Sequence, residues 1–220
     1  MIKLTDVPAQ QMSAITDFIL TIAAVIILIY LCRPELQPRW KRNSWIFFYG
    51  LLVVVSFLAG LIHGLQIPEN IEVFLWYILL FLLGAFLASF VVAVMNDLLG
   101  ESLSKKGLPY ICLASLIFFW VAATRVNGFV VFVTCQILIM IPVIIGYSWL
   151  GLANKLRGSW YMVLGAIVSV ISGIFQLSAE EEIVYVWVLG HNSFYHLVQA
   201  VGVLFFFVGV AKSFQIKERS

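Results

Sequence analysis

VFLWYILLFLLGAFLASFVVAVM, residues 73–95, runs for 23 positions without a single charge. At 1.5 Å per residue a helix of that length reaches across the ~30 Å hydrocarbon layer of a bilayer. Its composition is no accident of one segment. The 220-residue chain is 63% hydrophobic and 11% charged, with a mean hydropathy of +1.05, where soluble domains carry roughly 25% charged residues. No soluble core absorbs that much apolar surface, so the excess faces lipid.

Working outward from 73–95, six further apolar runs are long enough to span, and the seven read as about 14–32, 45–65, 73–95, 109–124, 129–149, 159–177 and 193–212. The gaps hold helix-stopping punctuation: Arg33-Pro34-Glu35 through Arg42, Gln66-Ile67-Pro68-Glu69-Asn70, Asn96-Asp97 through Pro109, Arg125 to Gly128, 151–158, and a stretch with Glu180-Glu181-Glu182. Short connections make successive helices antiparallel neighbours. The expected fold is all-α: one polytopic seven-transmembrane-helix bundle over 1–220, without repeats or linkers. No small-residue cleavage site follows the first run, so no cleaved leader is expected.

Lys and Arg set the orientation, because cytoplasmic loops collect them. With seven helices, one side receives Arg33, Arg39, Lys41, Arg42, Lys105, Lys106, Lys155, Arg157, Lys212, Lys217 and Arg219, and the other only Lys3 and Arg125. This places the N-terminus outside and the C-terminus in the cytoplasm. The net charge of +2 is too small to imply a nucleic-acid partner. Cys32, Cys112 and Cys135 lack metal or redox spacing and read as small packing residues. Gly60, Gly84, Gly165, Gly173 and Gly202 read as close-packing positions, and Pro142 as a kink in the fifth helix. Trp40, Trp45, Trp76, Trp149, Trp160 and Trp187 read as interfacial belts.

That topology gathers all three histidines on the non-cytoplasmic half. Thr16 and Asp17 fall in the first turns of helix 1, His63 at the end of helix 2, Glu72 at the start of helix 3, and His191, Asn192, Tyr195, His196 and Gln199 at the head of helix 7. Ionisable groups within a bilayer are expensive and face the bundle interior or a wet cavity. Asn192, His196 and Gln199 share one helical face at spacings of four and three. His191 lies about 140° from His196 on a regular helix, so it reaches a shared point only from a preceding loop, with Asn192 or Ser193 as N-cap.

Two chemistries fit this set. In one, His63, His196 and His191 hold a zinc ion whose bound water is activated, with Asp17 or Glu72 as catalytic base or orienter. In the other, Asp17, Thr16, Asn192, Tyr195, Gln199 and the histidines form a metal-free polar cluster that fixes helix packing. Segment 183–189, with Tyr185 and Trp187, is too short to span and is expected to roof the site.

The patches Ile15-Thr16-Asp17-Phe18, His63-Gly64 and His191-Asn192-Ser193-Phe194-Tyr195-His196-Leu197-Val198-Gln199 together resemble an uncharacterised group of bacterial seven-helix membrane proteins. More distantly, the chain is similar to the transmembrane hydrolase superfamily of alkaline ceramidases and progestin/adiponectin receptors. That resemblance implies a zinc ligand at His63 and a second at His196. The superfamily's other helix 7 histidine falls on Asn192, its helix 2 serine on Ala59, and its helix 3 aspartate is nearest Glu72. The expectations are therefore a zinc-dependent hydrolase acting on a lipid or amide at the outer half of a bacterial inner membrane, or a non-enzymatic sensor or scaffold subunit whose partners are lipids or other membrane proteins. A retinal pigment lacks its mid-helix lysine, and a transporter lacks inverted halves.

Overall fold

The computed structural model describes residues 3–125, 127–178, 183–184 and 188–215. Among them are seven helices long and apolar enough to cross a membrane: α1 (Pro8–Leu31), α2 (Arg39–Gly64), α3 (Glu69–Leu99), α4 (Glu101–Ala123), α5 (Gly128–Leu152), α6 (Ser159–Ser178) and α7 (His191–Ser213). Two-residue strands β1 (Ile183–Val184) and β2 (Val188–Leu189) pair antiparallel between α6 and α7. The expected positions of Glu180–Glu182, Tyr185, Trp187, Lys217 and Arg219 lie outside the described residues.

The helix ends follow local chemistry. Pro38 and Pro68 immediately precede α2 and α3, where a missing N–H is harmless. Glu69 and Glu72 occupy the first turn of α3, against the positive end of its dipole. The Asn127 side chain accepts a hydrogen bond from the Val130 amide at the head of α5. Gly100, at φ +86°, ends α3, and glycine takes that backbone region without steric cost.

Gly100 also corrects the sequence reading. The stretch 96–108 was expected to be a loop, but α3 continues through Asn96 and Asp97, and α4 starts one residue later with Pro109 inside it. The reason is that Glu101 to Leu108 contains no residue that stops a helix except Gly107, while Lys105 pairs with Glu101 one turn back. α1 likewise starts at Pro8, six residues earlier than the apolar run indicates, so Asp17 sits in its third turn.

Packing arranges six helices in a closed ring, α1–α2–α3–α5–α6–α7 and back to α1, while α4 leans on the outside against α3 and α5. Among the residues of α4 only Ser104 and Ala122 are buried. Close approaches between α6 and α7 rest on glycine. A Cβ on Gly165 would lie 2.7 Å from the Phe206 ring and 3.0 Å from the Gly202 carbonyl oxygen, and one on Gly202 would lie 3.0 Å from Ser169 Oγ. Gly60, Gly84 and Gly173 are similarly crowded by Phe18, Phe118 and Ile137, as the sequence reading expects.

The core splits into two apolar clusters. The larger contains Trp45, Phe48, Tyr49, Phe90 and Phe206, whose rings meet edge-on, tilted or at right angles. Trp45 is thus a core residue and no belt residue, since its face of α2 turns to the bundle interior. Cys32 and Cys112 are exposed rather than packed inside, Cys32 as the C-cap of α1 and Cys112 on the satellite helix α4.

At the end of the bundle where Lys and Arg collect, Lys41 Nζ lies 3.0 Å from Asp97 Oδ1. Tyr147 Oη donates to Asp97 Oδ2 at 2.9 Å. This joins α2, α3 and α5 through a buried charge pair that the sequence reading assigned to solvated loops. At the opposite end, residues 3–6 pair with the exit of α2: the Thr5 amide donates to the Gly64 carbonyl, and the Gln66 amide to the Lys3 carbonyl.

Candidate functional site

α1 and α7 cross where their small and polar residues meet. Ser13 and Ser193 hydroxyls lie 3.3 Å apart, and this close approach brings Asp17 and His196 together. His196 Nδ1 stands 3.2 Å from Asp17 Oδ1 and 3.3 Å from Thr16 Oγ1. Both residues are inside the bundle, Asp17 at 2% and His196 at 7% exposure. Thr16 donates its own hydroxyl hydrogen to the Ser13 carbonyl. A ring hydrogen on Nδ1 is shared between a hydroxyl oxygen and a carboxyl oxygen, and Nε2 is then the acceptor side of the ring.

Asp17 Oδ2 is fully buried with no hydrogen-bond partner among the described residues. Unpartnered buried carboxylate oxygens are costly and rare. Asp17 borders a small inner chamber of about 60 Å³, lined also by Ser56, Phe86, Phe129, Gln136, Tyr195, His196 and Gln199. A water needs only ~10–15 Å³ of such space, so the chamber admits a few waters or a small polar head.

The far wall is an amide ladder. Tyr195 donates to Gln136 Oε1 at 2.8 Å, Gln136 Nε2 donates to Gln199 Oε1 at 3.1 Å, and Gln199 Nε2 donates to Ser169 Oγ at 3.2 Å. Ser172 donates to the Tyr195 carbonyl. Below it, Thr21 and Ser56 hydroxyls meet at 2.8 Å. These bonds tie α1 to α2 and α5 to α6 and α7 within a medium that offers no competing solvent.

A second cavity of about 210 Å³ adjoins the first. His63, Trp76, Asn127, Gln176, His191, Asn192 and His196 line it, and Ala59, Leu79, Phe129 and His196 border both spaces. His196 is thus the partition between an outer vestibule and the inner chamber. Gln176 Nε2 donates to Asn192 Oδ1 at 2.6 Å, and the His63 ring meets Trp76 edge-on, 5.6 Å between centroids.

Most of the expected site residues converge. Asp17, His196, Tyr195 and Gln199 border the inner chamber, with Thr16 against His196, and His63, His191 and Asn192 line the vestibule. Two expectations are corrected. His191 is the first residue of α7, with Gly190 before it as N-cap, so neither Asn192 nor Ser193 caps the helix and Ser193 turns inward to Ser13. Glu72 borders neither cavity; its Oε1 accepts from Trp76 Nε1 at 3.4 Å, and Trp76 lines the vestibule.

Gln136, Gln176 and Ser56 were not foreseen. Gln136 was the findable one, as the lone amide inside an otherwise apolar α5. As the side chains stand, no three His, Cys, Asp or Glu residues among those described are grouped closely enough to hold a metal ion. His196 spends one ring nitrogen on Asp17 and Thr16, and His191 enters from a helix rather than a bending loop.

No curated protein and no solved structure matches the chain, so no link to the ceramidase and receptor superfamily accompanies the residue pattern. A family profile does match, over residues 12–214, from within the first turns of α1 to just past the end of α7. The chain belongs to DUF6962, a family of unknown function.

Proposed function

We propose that the protein is a non-enzymatic membrane sensor that binds a small molecule or lipid through a head that donates hydrogen bonds, oriented with its N-terminus outside and its site on the non-cytoplasmic half of a bacterial inner membrane. The observation that carries the reading is the buried Asp17 Oδ2, which lacks a partner and borders a chamber already equipped with amides and hydroxyls. A carboxylate inside a bundle without a full counter-charge beside it favours a cationic or hydroxyl-bearing guest. The Lys and Arg distribution, nine at one end against Lys3 and Arg125 at the other among the described residues, supports the orientation. The vestibule beside His196 supplies a route of matching polarity.

Purified protein tests this. Small molecules extracted from wild-type protein and from Asp17→Asn protein are compared by mass spectrometry, and a primary alkylamine series is titrated against thermal unfolding. A guest retained by wild type and lost from the variant, or a melting shift that the variant abolishes, supports the reading. Neither effect in folded protein overturns it. The orientation is read separately, by labelling a cysteine placed at Lys3 from outside spheroplasts.

The second reading is a zinc-dependent hydrolase acting on a lipid or amide. What favours it is the presence of His63, His191 and His196 on the wall of one cavity. It requires their ring nitrogens to close on a common point, each about 2.0–2.1 Å away. Elemental analysis decides: stoichiometric zinc, lost on His196→Ala substitution, favours the hydrolase over the sensor.

A further inference from the structure

A third cavity continues the series that begins at Asp17. It holds about 310 Å³ between α3, the end of α4 and the start of α5, and it shares Trp76, Asn127 and Phe129 with the vestibule. Phe129 borders all three spaces. Its ring meets Phe132 and Tyr195 at 5.5 and 5.9 Å between centroids, while the Trp76 ring stands against His63. Val73 and Tyr77, which line the third cavity, are exposed, so the series ends on the outer surface of α3.

The two ends of the series are lined by opposite charges. Among the described residues Asp17 is the one carboxylate bordering the inner chamber, and its Oδ2 has no partner. Arg125 is the one charged residue lining the third cavity. It is exposed, and no carboxylate among the described residues forms an ion pair with it. Between the two lies the vestibule, where His63, Asn127, Gln176, His191 and Asn192 offer both donors and acceptors. Along α5 the inner lining runs from Phe129 to Gln136, roughly 10 Å at helical rise, and Arg125 lies beyond Phe129.

We propose that the guest is linear and amphoteric, with an ammonium end at Asp17, a hydrogen-bonding span through the vestibule and a carboxylate end at Arg125, which is the chemistry of a short peptide. The inference rests on the reading of Asp17 as the guest-binding carboxylate and adds the far end of the guest. An alkyl span would cover the vestibule's imidazoles and amides without satisfying them, which is unfavourable. Peptide groups both donate and accept. A three-residue peptide reaches about 10–11 Å when fully extended, the length that the lining sets.

Full-length protein in detergent is titrated with triglycine, triglycinamide and N-acetyltriglycine, and binding is read from thermal unfolding. Wild type is expected to bind triglycine roughly two- to fivefold more tightly than triglycinamide, the range of an exposed ion pair. Diglycine, with about 7 Å of reach, should gain nothing over diglycinamide. Arg125→Gln should make triglycine and triglycinamide equal, and Arg125→Lys should restore part of the difference. Asp17→Asn and N-acetylation should each abolish binding. Equal binding of triglycine and triglycinamide by wild type, binding of neither, or a difference that survives Arg125→Gln overturns the inference, and the alkylamine titration then still decides the role of Asp17 by itself. Binding that survives both Asp17→Asn and N-acetylation overturns the reading of Asp17 and this inference with it.

Discussion

Lys41 and Asp97 lie 3.0 Å apart with side chains 7% and 2% exposed, at the opposite end of α2 from His63. A membrane bundle that buries a full ion pair at one end and a carboxylate–imidazole pair at the other holds its helices by polar contacts at both. Breaking a buried pair by removing one member costs about 3–5 kcal/mol, because the survivor stays buried and uncompensated. Lys41→Met and Asp97→Leu are each expected to lower the melting temperature sharply, and the double variant to recover much of the loss. Additive effects in thermal unfolding would refute the coupling.

Asp17 and His196 should show the same signature at the other end. His196→Ala leaves Asp17 buried without its imidazole partner, so it should destabilise more than the same change made together with Asp17→Asn. The expected interaction in a double-mutant cycle is about 0.5–3 kcal/mol. Thermal or denaturant unfolding in a fixed detergent reads it, and an interaction indistinguishable from zero counts against the pair.

Gln136 gives a third prediction. Gln136→Leu removes the acceptor of Tyr195 Oη and the donor to Gln199 at once. A buried group left unsatisfied costs about 1–3 kcal/mol. Adding Tyr195→Phe should return part of the lost stability, since no orphaned hydroxyl remains. If the second change adds a further full penalty, the ladder is not what fixes Tyr195.

Glycine positions separate by geometry. At Gly158, φ is +84° and a Cβ would collide with the Gly209 carbonyl oxygen, so Gly158→Ala combines backbone strain of about 1–2 kcal/mol with a clash that must part α6 from α7. At Gly50 a Cβ meets nothing within 4 Å, and Ala is the better helix former by about 1 kcal/mol. Melting of the two variants should move in opposite directions.

The seven spans, Asp17, His196 and the Asn192–His196–Gln199 face were legible because each depends on one helix at a time: length, hydropathy and a spacing of three or four. Gln136 stood out as a lone amide in an apolar run, but a single amide has no period to assign it a role, and for Gln136 and Gln176 alike only the neighbour each meets gives it meaning. Asp97 and Lys41 were misread for a related reason. Charges near a span's end count equally as loop punctuation and as an end turn of a longer helix, and it took the extension of α3 through Asp97 and of α2 back to Arg39 to decide. The loop position expected for His191 failed on a smaller point: Gly190 serves as N-cap without a side chain, leaving Asn192 and Ser193 free for other partners.

The closure of the helix ring has a consequence for how the protein is made. The hydroxyls of Ser13 and Ser193 and the Asp17–His196 pair all join positions about 180 residues apart, the first spanning helix to the last. As the chain leaves the ribosome, Asp17 enters the bilayer long before His196 exists, so its polar neighbours are assembled only when α7 arrives. The Asp17–His196 contact is therefore among the last to form, and a chain truncated before α7 keeps an acidic group in its first helix without its imidazole partner.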